Sequence, residues 1–450
     1  MDPQLGLRPP AAFLLAAEPL NFMINSDKAK WICAQMGGRE HYAIPRALQA
    51  TGDLRLCLTD FYAGNLTRAL GKRFSAKPIR ALAARSHADL PTGVVTSWNL
   101  RSLGWEARLR GMARQGVAER YLGYCEVGKR FNAAAVRHLR ALPNFPDDGL
   151  FFGYDTASLE IMEFLKERGF RCVLDQIDPC RVEVELVKAE QKLWPGWETS
   201  VLDVPEEFYE RHQQEWSLAD RVMVNSEWSR QALVQQGVPA GKLVVVPLCY
   251  ETDLKPDDAA EMSSVTARPI RDFKNDPLRV LFLGQVMLRK GIQYLVEAAR
   301  LMSSEDVRFD VVGTIHVSAK AVADAPPNLV FHGRATRDRI TDWYRKADVF
   351  VLPTLSDGFA ITQIEAMAHG LPVIATPNCG AVVSDSVDGF VVPPRDSEAL
   401  ASAIRRYLEN PEMLVDHGRA ALKKSGQFSL SRVAAQLREV ESGIRTNSKF

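Results

Sequence analysis

Two carboxylates and a pair of cations carry the chemistry this sequence offers. Asp357 stands in the polar turn TLSDGF, and Glu365 follows eight residues later in a run of helix formers, ITQIEAMA. Eight residues of helix rise roughly 12 Å over a little more than two turns, so the two acids share a face but stand far apart. The paired carboxylates of a glycosidase lie about 5 to 9.5 Å apart, so this spacing does not suit a hydrolytic dyad. It suits one long ligand held at two points. The first turn of the helix offers backbone N–H groups without intrahelical partners, a ready anion site. A ligand with hydroxyls at both ends and phosphate between them has that layout, and a nucleotide sugar is one. The spacing equally allows a turn aspartate that caps the helix and a glutamate that faces solvent.

The elements around the pair must place it. VFVLP is a continuous apolar run ending in proline, the pattern of a strand buried on both faces. Gly370 and Pro372 end the helix, and PVIAT reads as the next buried strand. The result is strand, turn, helix, strand, with the helix N-terminus at the carboxyl end of a parallel strand, where open α/β sheets bind ligands. A second strand, Leu278 to Leu283, leads through Gly284 and Gln285 into a basic turn with Arg289 and Lys290. That turn faces the same edge. The two cations are placed to clamp a diphosphate and to neutralise charge building on a leaving nucleotide. A pair of cations on a turn can also be plain exposed surface.

The segment from Asp357 to Ala375, DGFAITQIEAMAHGLPVIA, resembles the E-x7-E signature of retaining glycosyltransferases with the GT-B fold, the group 1 or family 4 class. The family pattern runs E-G-F-G-L-V-x-x-E-A-M-A-x-G-x-P-V-I-A. Here Asp357 stands for the first Glu and Ala360 for a common Gly. The resemblance implies that Asp357 holds donor-sugar hydroxyls and that Glu365 holds the nucleotide ribose. It further implies donor contacts at Gly284, Gln285, Arg334, Gly358 and Phe359, and at the helix N-terminus, Ile361 and Thr362. Lys290 matches the lysine of the family's G-R-x-x-x-x-K-G, and Gln285 replaces its arginine. Asp388-Gly389-Phe390-Val391-Val392-Pro393 resembles the family's D-G-x-L-V-x-P turn. The acid usual after the paired glycines is absent, since Val383 and Ser384 stand there.

The chain of 450 residues is too long for one core, so two domains are expected. Apolar content of 46% and charged content of 25% are ordinary for a globular protein, and a net charge of +1 makes no statement about partners. Seven scattered cysteines without C-x-x-C spacing argue for reduced thiols and against a zinc ribbon or a disulfide frame. No run of eighteen apolar residues occurs, and AAFLLAAEPLNFMI, interrupted by Glu18, is a poor signal peptide. The expected location is the cytoplasm. No D-x-D, G-x-G-x-x-G or G-x-x-x-x-G-K-[ST] occurs, so neither a metal–diphosphate clamp, a dinucleotide fingerprint nor a phosphate-binding P-loop is expected.

In the N-terminal half, Trp31 to Ala34 reads as a strand, followed by Gly37-Gly38-Arg39-Glu40, a helical pattern to about Ala50 and the strand Leu54 to Leu58. Gly37 and Gly38 place backbone N–H groups at a sheet edge, and the resemblance implies that this loop faces the donor. Arg39 and Arg46 are candidate acceptor or phosphate contacts. Residues 51–140 carry sixteen Lys/Arg against six Asp/Glu, and Asn65 to Arg85 contains six cations and no acid. A basic amphipathic segment of that kind can lie on an anionic membrane, grip an acidic acceptor, or simply face solvent. No motif pointing to nucleic acid accompanies it. Strands are expected at Val94 to Trp98, Leu150 to Tyr154, Arg171 to Asp175, Asp220 to Ser226 and Lys242 to Leu248. Tyr154, Asp155 and Asp178 stand at strand ends, where the family usually carries a histidine. They are the acceptor-side candidates, though either acid could cap a turn instead.

The expectation is α/β: two Rossmann-like domains facing a cleft, the GT-B arrangement. It divides the chain into an N-terminal acceptor domain (1–255), a linker (256–277), a nucleotide-sugar domain (278–429) and a C-terminal helix (430–450) returning to the first domain. The expected reaction moves a sugar from a UDP- or GDP-type donor to an acceptor hydroxyl with retained anomeric configuration. No metal or other cofactor is expected. The expected partners are the nucleotide-sugar donor, a carbohydrate or lipid-linked acceptor, and an anionic membrane surface at residues 65–85, reached from the cytoplasmic side. A polysaccharide or glycolipid pathway fits those partners. A GT-B epimerase, a phosphorylase and a non-catalytic binding protein are the alternatives.

Overall fold

The computed structural model describes residues 30–73, 77–251, 273 and 276–446. Two parallel sheets organise them. The first contains β1 (Trp31–Gln35), β2 (Leu54–Thr59), β3 (Val95–Ser97), β4 (Leu150–Tyr154), β5 (Arg171–Gln176), β6 (Arg221–Val224) and β7 (Leu243–Val245), in the order β3-β2-β1-β4-β5-β6-β7. The second contains β8 (Leu278–Leu283), β9 (Val307–Val312), β10 (Leu329–Gly333), β11 (Val349–Leu352), β12 (Val373–Ala375) and β13 (Gly389–Val391), in the order β10-β9-β8-β11-β12-β13. In both sheets the order reverses beside the first strand, at β1/β4 and at β8/β11. Such switch points open a crevice at the carboxyl ends of the strands. The two Rossmann-like domains place these edges opposite each other.

The sequence dictates this layering directly. Consecutive residues of a strand point to opposite faces. Ile32, Phe151 and Leu174 enter the core on one side of the first sheet, and Cys33, Phe152 and Val173 enter the core on the other. Both faces need helices, which is why these strands read as unbroken apolar runs. Part of the second layer comes from the far end of the chain. The helix Leu430–Thr446 inserts Val433, Leu437, Val440 and Ile444 among the N-terminal core residues. Lys30 pairs with Glu441 at 3.1 Å, and Arg221 donates to the Gly443 carbonyl at 3.1 Å. The C-terminal helix therefore crosses back, as expected.

Strand positions follow the sequence reading to within one to three residues. The helices Asn99–Ala113, Val117–Ala141, Arg181–Leu193 and Pro411–Ser425 are additional. The expected linker, residues 256–277, lies outside the described residues apart from Phe273, Asp276 and Pro277. The basic segment forms the helices Asn65–Arg73 and Lys77–Ala83. No helix among the described residues is long and apolar enough to cross a membrane.

Candidate functional site

The turn after β8 is pressed against the end of β11. Gly291 makes this possible: its φ is +73°, and a β-carbon there would lie 1.8 Å from the Pro353 carbonyl oxygen. Lys290 is thereby brought onto Asp357, and the two form an ion pair. Arg289 lies 3.7 Å from the other Asp357 oxygen and donates to the Ser356 carbonyl at 3.0 Å. Burial alone would push the Asp357 carboxyl up; the charges of Lys290 and Arg289 overcome it and hold the group below its ordinary value. Asp357 is thus a carboxylate at neutral pH, with side-chain exposure of 16%.

Glu365 faces a different space. A cavity of about 870 Å³ lies between the domains. On the C-terminal side it is lined by Ile361, Glu365 and His369, one face of the helix Ile361–Ala368 and its cap, with Arg334, Ile340 and Tyr344. Tyr344 donates its hydroxyl to Glu365 at 2.8 Å and stacks on His369 at 4.9 Å, so the carboxylate is aimed rather than loose. Ile361 and Thr362 have no preceding helical carbonyl to bond to, and they open the helix beside the same cavity. On the N-terminal side the wall is Glu40, His41, Arg46 and Glu251.

The loop after β1 meets this cavity in a costly conformation. Glu40, His41 and Tyr42 have φ of 49°, 51° and 64°, three consecutive non-glycine residues in the left-handed region. Each costs roughly 1–2 kcal/mol, a concentration of strain typical of functional loops. A left-handed turn, not the start of a helix, therefore follows Gly37 and Gly38, and the helix begins at Ala43. Arg46 is no ligand-ready cation: it pairs with Asp89 at 2.8 Å and with Glu251.

A second cavity of about 710 Å³ opens along the carboxyl edge of the first sheet. Gly37, Gly38, Arg39, Asp155 and Asp178 line it, together with Trp105, Tyr121, Tyr124 and Phe208. Tyr154 does not. It is 1% exposed and lies beneath Arg39, whose guanidinium is 5.2 Å from its ring. Strand alternation explains the difference, since Tyr154 points into the core while Asp155, one residue on, reaches the cavity.

A buried histidine meets the end of β4 from a separate element. His212, on the helix Glu206–Leu218, lies 3.5 Å from Asp155 and donates through Nδ1 to the Phe208 carbonyl at 2.7 Å. Its neighbour Glu215 accepts from the amides of Thr156, Ser158 and Leu159 at 2.7, 3.0 and 3.1 Å, capping the helix Leu159–Lys166. Burial opposes a charge on His212, but Asp155 and Glu215 overcome it and raise the imidazole to about 9. A histidine raised in the folded state contributes stability that is complete below its unfolded value, near 6.5, and is lost as pH rises through 9. The protein is expected to lose up to about 3 kcal/mol of stability across that window. His212→Gln should flatten that part of the profile in urea melts taken at pH 6, 7.5 and 9.

Of the remaining expected donor contacts, Arg334 lines the interdomain cavity. Gly284 donates to the Val312 carbonyl at 3.0 Å, and Gln285 is exposed on the turn outside both cavities. Gly358 faces the other domain: a β-carbon there would lie 2.0 Å from the Ile177 carbonyl oxygen and 3.0 Å from the Asn225 amide nitrogen. Phe359 is buried against Phe428 at 6.2 Å, which makes it a packing residue of the turn. Tyr344, His212 and Glu183, described below, escape sequence reading because each reaches its site from a separate element.

Two facing Rossmann-like domains with a C-terminal helix crossing back define the GT-B architecture. Residues 277–410 match the family described as Glycosyl transferases group 1. A D-inositol 3-phosphate glycosyltransferase of Streptomyces griseus is 29% identical over 227 residues, covering 46% of this chain and 48% of that one. One from Pseudarthrobacter chlorophenolicus is 32% identical over 180 residues, covering 37% and 43%. The chain thus spans about half the length of the curated relatives it matches. Among solved structures, Anabaena HepE in complex with UDP aligns over 92% of this chain and 99% of that one, with a TM-score of 0.57 and 17% identity. Sucrose-phosphate synthase from Thermosynechococcus elongatus aligns over 93% and 100%, with a TM-score of 0.56 and 18% identity. At these identities the likeness is one of fold.

Proposed function

We propose that the protein transfers a sugar from a nucleoside diphosphate sugar to an acceptor hydroxyl, with retention at the anomeric carbon. The observation that carries this reading is the interdomain cavity into which one helix turns Ile361, Glu365 and His369, while Asp357, in the turn before that helix, pairs with Lys290 from the turn after β8. Glu365, steadied by Tyr344, accepts from the ribose hydroxyls. Lys290 and the amides of Ile361 and Thr362 hold the diphosphate. An entering diphosphate competes with Asp357 for Lys290, which frees the Asp357 carboxylate to accept from donor-sugar hydroxyls. As the glycosidic C–O bond breaks, Lys290 meets the growing charge on the leaving phosphate. The acceptor attacks from the face the nucleotide leaves, and the leaving phosphate takes its proton. The acceptor approaches through the second cavity, beside Arg39, Asp155 and Asp178. This route needs no metal. A uridine nucleotide is the first donor to try, since the aligned HepE structure carries UDP. A carbohydrate or lipid-linked acceptor, delivered at the cytoplasmic face of a membrane by the basic helices Asn65–Arg73 and Lys77–Ala83, completes the proposal.

Thermal melts with UDP, GDP, ADP and CMP at about 1 mM test it. A ligand with Kd near 10 μM adds roughly 2.7 kcal/mol. One nucleoside diphosphate should stabilise the protein, and Glu365→Ala should lose that effect. Stabilisation by none of them, or an undiminished effect in the variant, would remove the donor site from the proposal.

A further inference from the structure

One carboxylate of the N-terminal domain makes its polar contacts on the other domain. Glu183, in the first turn of the helix Arg181–Leu193, accepts from the Ser356 hydroxyl at 2.8 Å and from Arg289 at 3.3 Å. Ser356 in turn accepts from the Trp228 indole at 3.1 Å. The Arg289 guanidinium is held between this carboxylate and the Ser356 carbonyl, with Asp357 at 3.7 Å. The backbone of the same turn is tied down as well, since Leu355 N and Thr354 Oγ1 donate to the Arg289 carbonyl at 2.9 and 3.1 Å. The turn that carries Asp357 is therefore fixed in part from the opposite domain.

We propose that Glu183 is a positioning residue of the donor site, which holds Arg289 and the Ser356–Asp357 turn across the closed cleft and competes with the donor diphosphate for the Arg289 charge. The inference rests on the reading that a nucleoside diphosphate binds beside Lys290. Arg289 and Lys290 face Asp357 and Glu183 here, two charges against two. A diphosphate adds negative charge to that set, so Glu183 opposes it electrostatically when ionised and ceases to do so when protonated.

The surroundings set where that change falls. Arg289 and Asp357 face Glu183 from the C-terminal domain, Asp178 from the loop after β5, and Tyr121 from the helix Val117–Ala141. Burial raises the Glu183 carboxyl, Arg289 opposes this, and Asp178 and Asp357 add to it, leaving the group at about 7. Relative to a protein whose residue 183 cannot ionise, nucleoside diphosphate affinity should therefore fall as pH rises from 6 to 8.5.

The test is isothermal titration of UDP, GDP and ADP into the full chain at pH 6, 7 and 8.5. It compares the wild type with Glu183→Gln, which keeps the side-chain shape and the contact to Ser356, and Glu183→Asp, which keeps a titrating carboxyl. At pH 8.5 the Gln variant should bind the preferred nucleotide roughly tenfold tighter than the wild type, and at pH 6 about equally. Its transfer kcat should be lower, because Arg289 has lost its ionic partner. The Asp variant should keep the pH slope. The phosphate's own ionisation is common to all three proteins and cancels. A Gln variant with the wild-type slope overturns the role of Glu183, and so does a lower melting temperature with unchanged nucleotide binding, because packing alone then explains the residue. If the wild type binds none of the nucleotides, the donor site itself fails, and this inference falls with it.

Discussion

Lys290→Met is expected to lower kcat/KM for transfer by about 10³-fold. Removing one preorganised donor from a site of developing charge costs roughly 10² to 10³ in rate. Here the lost group also carries a full charge in a partly buried place, at 13% exposure. Methionine matches the length of lysine without the charge, so packing changes little. The variant also leaves Asp357 buried with one cation fewer, and breaking such a pair destabilises by up to about 3–5 kcal/mol. Lost activity alone could then reflect a damaged fold. The double variant Lys290→Met with Asp357→Asn separates the two effects. It should recover most of the melting temperature, because no charge is left unpaired, while transfer stays at the level of the single variant or lower. Recovery of transfer along with stability would mean that Lys290 serves the fold and not the reaction.

Gly358→Ala is expected to cost roughly 10²-fold in transfer while sparing nucleotide binding. The glycine is not in the left-handed region, so alanine meets no local backbone penalty there. The obstacle is the other domain. The added methyl would stand 2.0 Å from the Ile177 carbonyl oxygen, a backbone atom that cannot swing aside. The domains must separate at this point by an ångström or more, and a misplacement of about 1 Å can cost 10²-fold in rate. Lys290, Glu365, Ile361 and Thr362 all belong to the C-terminal domain, so UDP affinity should change by less than about threefold. Small-angle scattering should show a larger radius of gyration. An alanine variant with wild-type turnover would show that transfer does not need the closed contact at Ile177.

These two residues also show what the sequence makes legible. The segment from Val349 to Ala375 could be read almost to the residue, because each element is a continuous pattern: VFVL, then ITQIEAMA, then VIA. The spacing shows two acids standing well apart, and the structure turns one onto Lys290 and the other into the cavity. Gly358 was legible as a member of a motif, but its closeness to Ile177 was not, because no local pattern encodes the face of another domain. The same holds for Glu183, which meets Ser356 173 positions along the chain. His212 was hidden for a related reason. Asp155 marks a strand end, but the imidazole beside it comes from a helix 57 residues later, as 212 minus 155 gives. Tyr154 was placed on the wrong side of its strand because an end residue shows no alternation beyond itself. The helix at 99–113 escaped because its apolar residues do not gather on one face: Trp105 is buried while Leu100 and Leu103 are exposed.

A crystal structure of the protein with UDP, or with whichever nucleoside diphosphate stabilises it in melts, tests the donor site most directly. The diphosphate should lie between Lys290 and the amides of Ile361 and Thr362, the ribose against Glu365, and Asp357 should have turned from Lys290 toward the space the sugar fills. A nucleotide seated instead in the N-terminal cavity beside Asp155 and Asp178, or a Lys290–Asp357 pair left intact beneath the bound diphosphate, would contradict the assignment.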